Sequence, residues 1–223
     1  MSATRLRASL QDAVRVIEHT NASVDLRQAE RAVDLLLRCR GRRWFTGVGK
    51  SGLAAARMAS SLSSIGLAAH FVHGAEWAHG ELGGVRGGDV ITAVSHSGAT
   101  AELLGLVHHL GNCQLLSSTG GQQQHHERQE PDGDAVALLA LTGHDDSPIA
   151  QCADVAVTCA VPPDSELIGL LPTSSLLATH HVFNALLGEC AVQVELTRDD
   201  VGRAHPGGQI AALAGSVPSG LRS

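Results

Sequence analysis

The sequence of 223 residues has few aromatic side chains: phenylalanine and tryptophan make up 2% of it, and tyrosine is absent. The core must therefore be built from Ala, Val, Leu and Ile. Net charge is −6 and there is no basic run, which argues against nucleic acid as the main partner. No apolar run reaches transmembrane length, and the opening MSATRLRASL lacks the apolar core of a signal peptide. We therefore expect neither nucleic-acid nor membrane binding.

The five cysteines are odd in number and show no CxxC spacing, which disfavours a zinc ribbon and a complete disulfide framework. Reduced thiols and a cytoplasmic location are the expectation. Hydrophobic residues make up 43% of the chain and charged residues 17%, which is typical of a globular protein. The length suits one α/β domain, so we predict a single domain over residues 1–223.

Apolar residues at helical spacing predict two leading helices, and the inward stripe of the first consists of Leu6, Leu10, Ala13, Val14 and Ile17. Short apolar runs then alternate with helical patterns. This alternation predicts parallel βαβ units that form a five-stranded, doubly wound parallel sheet. In such a sheet we expect ligands to bind at the carboxyl ends of the strands. The predicted strands are 43–48, 67–73, 89–95, 135–141 and 153–159, and the later helices 51–65, 99–110 and 174–192.

Residues 112–134 interrupt this alternation with a polar, Gln- and Gly-rich stretch, which predicts an inserted loop. Its HHE cluster at 125–127 is compatible with metal binding, but a solvated loop is the favoured interpretation. Residues 214–223 are predicted to be a short tail.

The stretch TGVGKSG at 46–52 raises the question of a nucleotide-binding loop. The Walker A pattern GxxxxGK[ST] needs a glycine at position 44, where this chain has Trp44. The third predicted strand also ends in Ser95, with no Asp to hold Mg²⁺. These two departures exclude an NTPase and leave a glycine turn that presents Lys50.

SHSGAT at 95–100 places three hydroxyl side chains around Gly98, just before a predicted helix. Such hydroxyls and the free N–H groups of a helix start form an anion site suited to one phosphate monoester, although an ordinary Ser/Thr N-cap is the alternative. Glu102 follows in the first turn, where the helix dipole favours the ionised form. An ionised carboxylate beside a phosphate site is a candidate general base.

HGAEWAHGELGG at 73–84 carries two His and two Glu between glycines, beside the predicted crevice. His79-Gly-Glu81 resembles the HxE of zinc deaminases, but the PCxxC half of that motif is absent. Either a functional loop or ordinary polar surface fits this stretch.

Taken together and in this order, GVGKSG, FVHGAEWAHGELG, SHSGATAEL, LLPTSS and AHPGG resemble the sugar isomerase (SIS) domain, most closely its arabinose-5-phosphate isomerase branch. The resemblance runs from about residue 4 to residue 213, apart from the insertion. It implies a five-stranded parallel α/β fold, interconversion of D-ribulose 5-phosphate and D-arabinose 5-phosphate, no required cofactor, and a homotetramer. Many members carry a C-terminal pair of CBS modules, which we do not expect in this chain.

The resemblance also implies site residues. Lys50 would stabilise the enediolate oxygen, Glu102 would take the carbon proton, and His79 and His205 would serve hydroxyl protons and ring opening. Asp164 aligns with a family glutamate, and Glu166 is the nearest glutamate, so either one is a candidate for that position. His73 corresponds to a zinc contact of the family, and an inhibitory zinc is one interpretation of it. The predicted substrate-binding residues are Ser51, Ser95, Ser97, Gly98, Thr100, Glu166, Ser174 and Ser175.

The chain departs from the family pattern at Asp164, which is one methylene shorter than glutamate, and at His96, where Asn is usual. Two other functions stay open. One is a different SIS isomerase of the 3-hexulose-6-phosphate type. The other is a non-catalytic sugar-phosphate sensor, which retention of Lys50, Glu102 and His205 disfavours.

Overall fold

A computed structural model describes residues 3–113, 115–116 and 135–214 of the protein. Its centre is a five-stranded parallel sheet with the strand order β2-β1-β3-β4-β5. This confirms the predicted fold class. The strands are β1 (Arg43–Gly47), β2 (Ala69–His73), β3 (Val90–Ser95), β4 (Ala137–Thr142) and β5 (Val155–Thr158).

The two leading helices and the three predicted connecting helices are present, with ends shifted by a few residues. The helices are α1 (Ala3–Ser23), α2 (Leu26–Arg38), α3 (Gly49–Ser64), α4 (Ala101–Asn112), α5 (Pro148–Cys152), α6 (Ser174–Gln193), α7 (Arg198–Ala204) and α8 (Gly208–Ala214). The sequence prediction did not include α5, α7, α8 or two short 3-10 helices, Glu76–His79 and Glu81–Gly84.

The sheet separates two apolar clusters, and alternate residues of its strands supply one or the other. Phe45, Val94 and Leu139 pack with buried residues of α1, α2, α3 and α6 on one face. Ile91, Ala93 and Leu138 pack with α4, α5 and Trp77 on the other. β1, β3 and β4 are buried along their whole length, and β3 and β4 have the near-continuous apolar sequence of strands covered on both faces.

The predicted inward stripe of α1 is wrong for three of its five members, whereas Ala13 and Ile17 are half-buried. Leu6, Leu10 and Val14 are 67%, 63% and 53% exposed, and the buried positions are Val16 and Thr20. The hydroxyl of Thr20 lies 2.8 Å from the carbonyl oxygen of Ala160, which ties the end of α1 to the loop after β5. Helical periodicity identified the apolar face of α1 but not what covers it.

The amino-terminal edge of the sheet is held by one buried carboxylate. Asp89, 2% exposed, accepts hydrogen bonds from the backbone N of Arg42 at 2.7 Å, the indole N of Trp44 at 2.8 Å and the backbone N of Arg86 at 3.0 Å. Three donors from two segments therefore converge on a single side chain and fix the start of β1 against the start of β3.

Within the described residues no helix combines the length and the apolarity needed to cross a membrane. Of the predicted insertion at 112–134, positions 112, 113, 115 and 116 are described. The HHE cluster lies outside the described residues, as do residues 215–223 of the predicted tail.

Candidate active site

The loops after β1, β2 and β3 meet at the carboxyl edge of the sheet. Gly74 marks the meeting point, because a Cβ there would lie 2.7 Å from a methyl group of Val48 and 3.2 Å from one of Leu103. Gly74 N also donates to the carbonyl of Gly47 at 3.0 Å. The predicted residues on these three loops therefore lie at the same edge of the sheet.

Lys50 lies in the first turn of α3, and its side chain is exposed. Gly49 has φ +58°, and the strand turns so tightly into the helix that a Cβ on Gly52 would lie 2.8 Å from the carbonyl oxygen of Gly47. The residue before the helix, Val48, provides no side-chain cap. The N–H groups in the first turn of α3 therefore have no side-chain acceptor from the N-cap residue. Ser51, which is half-buried, lies in the same turn. Trp44 lies within β1, as predicted.

The loop from Ser95 to Thr100 brings two of its three hydroxyls together. Ser95 Oγ lies 2.9 Å from Thr100 Oγ1 and accepts a hydrogen bond from Gly98 N at 3.1 Å. Ser97 Oγ accepts from Ala99 N at 3.3 Å, and its side chain is exposed. Thr100 provides no side-chain cap for α4. The loop therefore ends in a helix start with hydroxyls around it, which is the arrangement an anion site requires.

Close packing against the loop that follows β4 requires a glycine at position 98. Gly98 has φ +59°, and a Cβ would lie 2.1 Å from Ser147 Oγ and 2.9 Å from Thr142 Oγ1. Sequence reasoning missed these two buried supports, although Thr142 ends a strand and Ser147 precedes a proline at a helix start. Glu102 is exposed in the first turn of α4, next to the hydroxyl loop.

His73 ends β2 in register with Gly47, and its Nδ1 accepts from Ala75 N at 3.3 Å. His79 and Glu81 lie on the two 3-10 helices, with exposed side chains. Trp77 anchors this loop, because its indole N donates to Thr46 Oγ1 at 2.8 Å. A cavity of about 540 Å³ lies beside β2, lined by Arg42, Trp44, His70, Phe71, Val72, His73, Glu76 and Glu81.

The cavity residues do not form a metal site. In the part of the chain that the structure describes, no group of three or more His, Cys, Asp or Glu side chains is placed to hold a metal ion. The predicted zinc at His73 thus lacks a ligand set among these residues, and no chemical step is assigned to a metal.

Glu166 caps helix α6. Its Oε2 accepts from Thr173 N at 2.5 Å and Ser174 N at 3.0 Å, and its Oε1 accepts from Ser175 N at 3.0 Å. Partial burial raises the pKa of Glu166, but hydrogen bonds from Ser175, Thr173 and Ser174 outweigh it and lower that pKa to about 2. Both carboxylate oxygens are therefore engaged within the chain.

The other predicted residues of this segment differ in their surroundings. Asp164 is exposed and has φ +57°. Ser174 Oγ donates to Ser165 O at 2.7 Å, and Ser175 O accepts from Thr179 Oγ1 at 2.8 Å. The two serines are thus part of the support of α6, and their role in binding substrate stays a prediction.

His205 follows α7, and its Nδ1 lies 2.9 Å from the carbonyl oxygen of Val201. A carbonyl oxygen can only accept, so Nδ1 is the donor in this contact. Within the described residues, no hydrogen bond or ring contact joins His205 to the loops after β1, β2 or β3. The structure therefore does not bring it together with the Lys50 and Ser95 loops through direct contacts.

The fold is a doubly wound α/β domain. The carboxyl edge of its sheet carries a helix start of the kind that suits a phosphate ester. The family follows from comparison: residues 36–112 match the SIS domain model, and the chain belongs to the SIS domain family. It is 33% identical over 180 residues to arabinose 5-phosphate isomerase KdsD of Pseudomonas aeruginosa, covering 81% of this chain and 49% of the relative. It is 28% identical over 207 residues to arabinose 5-phosphate isomerase KpsF of Escherichia coli, covering 93% and 57%.

Among solved structures, the protein c3406 of E. coli CFT073 in complex with arabinose 5-phosphate is similar with a TM-score of 0.76 and 28% identity, covering 92% of this chain and 100% of that one. The chain spans about half the length of the curated relatives it matches.

Proposed function

We propose that this protein is a sugar-phosphate aldose–ketose isomerase that interconverts D-ribulose 5-phosphate and D-arabinose 5-phosphate. The observation that carries the proposal is the Ser95–Thr100 hydroxyl loop, with exposed Lys50 and Glu102 at the same edge of the sheet. Similarity to arabinose 5-phosphate isomerases and to a structure in complex with arabinose 5-phosphate supports the choice of substrate.

The isomerisation moves one proton between C2 and C1 through an enediol. Glu102 takes the proton from C2 of the aldose and returns it to C1. The hydroxyl proton moves from O2 to O1, assisted by His79. The same role for His205, and the role of both histidines in ring opening, rest on the family resemblance alone, since no contact among the described residues joins His205 to these loops. Lys50 stabilises the negative charge that develops on the oxygen, while Ser95, Ser97 and Thr100 hold the phosphate.

The contacts of Glu166 argue against it as the assisting acid–base group, which leaves Asp164 as the candidate. Glu166 already accepts three backbone N–H groups, and its lowered pKa makes it a poor proton donor. Asp164 is exposed, and among the described residues no backbone N–H group engages it in this way. We therefore assign the assisting acid–base role to Asp164 and a supporting role to Glu166.

The test is to incubate the protein with ribulose 5-phosphate and to measure arabinose 5-phosphate, with and without a chelator. Turnover of ribulose 5-phosphate supports the proposal. A parallel assay with the six-carbon 3-hexulose 6-phosphate distinguishes it from the other isomerase type, which would act on that sugar instead. Tight binding of ribulose 5-phosphate without turnover of either sugar would instead support a sensor. Loss of activity on chelation would restore a metal role.

We propose in addition that the protein acts as a homo-oligomer, a tetramer, in the cytoplasm. The support is the family resemblance and the exposed apolar stripe of α1, at Leu6, Leu10 and Val14. Sedimentation equilibrium of the protein and of Leu10→Glu tests this, since a charge on that stripe should weaken assembly. Unchanged assembly in the variant would remove α1 from the interface.

A further inference from the structure

The strand β2 lies at one edge of the sheet, and its outer side is open. Among the described residues it pairs with β1 and with no other strand. Its sequence AHFVH contains neither lysine nor proline, which are residues that commonly block pairing at the edge of a sheet. Phe71, at the centre of β2, is 37% exposed. An edge of this kind can accept a further strand.

Hydrogen bonds at the two ends of β2 show which of its backbone groups face outward. Gly74 N donates to β1 at 3.0 Å, so the even-numbered residues direct their N–H and C=O groups toward β1. On the outer side, Ser63 Oγ lies 3.2 Å from both the N and the O of Ala69. The N–H and C=O groups of Phe71 and His73 therefore also face outward, and within the described residues they have no hydrogen-bond partner.

The cavity of about 540 Å³ described above runs along this outer side. It is lined by the four consecutive residues 70–73 of β2. Because successive side chains point to opposite faces of a sheet, a cavity that touches all four lies at the edge of the strand. Arg42 lines the cavity at the amino end of β2, since the residue after it is in register with the first residue of that strand, and Glu76 and Glu81 follow the carboxyl end.

The charges at the two ends of the cavity are not neutralised by ion pairs within the described residues. The guanidinium of Arg42 donates to Gly84 O at 3.3 Å and lies 5.6 Å from the ring centre of Trp44, but no carboxylate pairs with it. Glu76 and Glu81 form no ion pair in this part of the chain either. A partner that fits this edge presents a carboxylate opposite Arg42 and a cation opposite the glutamates.

We propose that this edge binds a second copy of the chain, with the two β2 strands antiparallel across a twofold axis at Val72. In this register Phe71 of each copy pairs with His73 of the other, and four hydrogen bonds use all the open N–H and C=O groups of these residues. A register centred on Phe71 would need the backbone groups of Ala69, which already contact Ser63 Oγ.

The same twofold axis brings opposite charges together. Arg42 lies at the level of position 68, because Arg43 is in register with Ala69. Position 68 and position 76 each lie four positions from Val72, so Arg42 of one copy faces Glu76 of the other, and the contact occurs twice by symmetry. Glu76 begins the 3-10 helix that ends at His79, so this contact also holds the loop that carries His79.

A closed tetramer of identical chains with dihedral symmetry needs two different isologous interfaces. The exposed stripe of α1 is the first candidate, and the β2 edge supplies the second. Pairing at this edge does not depend on the proposed reaction, and it rests on the proposed tetramer only for the final size of the assembly.

Charge reversal at the two ends of the edge tests the pairing. Arg42→Glu and Glu76→Arg should each weaken association about 10–100-fold, because each sets like charges opposite one another twice across the axis. A one-to-one mixture of the two variants should recover association, since the introduced glutamate of one then faces the introduced arginine of the other. Contacts within one chain do not change on mixing, so recovery reports a contact between copies.

Sedimentation equilibrium of each variant combined with Leu10→Glu, which is expected to remove the α1 contact, measures association at the β2 edge. Arg40→Glu is the matched control, since Arg40 is exposed in the same segment but does not line the cavity. It should change the association constant by less than about threefold.

Amide hydrogen exchange gives a second measurement that charge alone would not move. The amides of Phe71 and His73 should be protected at high protein concentration and should exchange freely on dilution. The amide of Val72, which faces β1, should stay protected at both concentrations.

A mixture of the two variants that does not recover association would overturn the proposal. The same conclusion follows if exchange at Phe71 and His73 does not depend on concentration, or if Arg40→Glu weakens association as much as Arg42→Glu does. Turnover of ribulose 5-phosphate is measured separately. Paired β2 edges without turnover would refute the isomerase alone, and turnover without edge pairing would refute the pairing alone.

Discussion

Replacing Glu166 by Gln should destabilise the protein at neutral pH, because this carboxylate caps α6. Gln keeps one acceptor oxygen but loses the charge that the N–H groups of Thr173, Ser174 and Ser175 face. The pKa of Glu166 is lowered from 4.5 to about 2. A shift of this size corresponds to about 3 kcal/mol, and solvent screening at this partly exposed site reduces the expected loss to about 1–2 kcal/mol.

The pH dependence follows from the direction of the shift. Because the pKa is lower in the folded protein, the stabilisation is complete above the ordinary value of 4.5 and is lost as pH falls toward about 2. Urea unfolding of both proteins, followed by circular dichroism at neutral pH and at several acidic pH values, should show the difference in unfolding free energy shrinking with acidity.

Glu18→Gln is the matched control, since Glu18 is exposed in the interior of α1, outside the first turn of that helix. Its unfolding free energy should stay within about 0.5 kcal/mol of the unmodified protein. Equal effects of the two substitutions, or a Glu166→Gln effect that does not change with pH, would refute the capping argument.

Four further outcomes are expected. Lys50→Met should lower turnover about 10²–10³-fold with little change in sulfate affinity, because it removes a cation that acts on the developing oxyanion; a loss confined to affinity would contradict that role. Glu102→Gln should lower turnover about 10²–10⁴-fold while the sugar phosphate still binds, as binding calorimetry would show. Gly98→Ala should lower the unfolding free energy by about 1–3 kcal/mol, since its Cβ would lie 2.1 Å from Ser147 Oγ. Gly105→Ala on α4 is the control: there is open space around the added Cβ, so this substitution should be neutral or stabilising in the same urea assay. Chelation with EDTA should leave the initial rate of the proposed isomerisation unchanged, because no step of the proposed mechanism uses a metal; a loss of activity would contradict that mechanism.

The sheet was predictable because burial on both faces makes its strands short apolar runs. The strands 43–48 and 89–95 were each predicted within a residue or so of β1 and β3. The Ser95–Thr100 loop was predictable for a related reason: the carboxyl ends of parallel strands must meet, so polar residues at those ends share one edge.

The short helices carried signals that the sequence reading did not use. Ser147 followed by Pro148 is a typical helix start, and Pro148 is the first residue of α5. Thr197 and Asp200 form a capping box at the start of α7. Both signals are local, so both helices could have been found.

The pairing of Glu166 with α6 was not predictable, because it depends on how the loop after β5 folds back. The loop passes through left-handed backbone at Asp164 and Ile168, and the Glu166 carboxylate reaches N–H groups seven to nine residues later in the chain. Neither residue type favours that conformation strongly enough to be read from sequence. The exposure of the α1 stripe escaped prediction for a similar reason, since it depends on tertiary packing.

The hydrogen bonds that Asp89 accepts from Arg42, Trp44 and Arg86 bear on which parts of this protein tolerate mutation. Asp89 holds the starts of β1 and β3 through three hydrogen bonds at the edge opposite the loops proposed to bind phosphate. Mutational libraries restricted to exposed positions of the carboxyl-edge loops, with the closely packed Gly74 and Gly98 kept, should therefore yield many folded variants. Randomisation around Asp89, by contrast, should yield few folded proteins, so this edge is the one to leave unchanged when the scaffold is re-engineered.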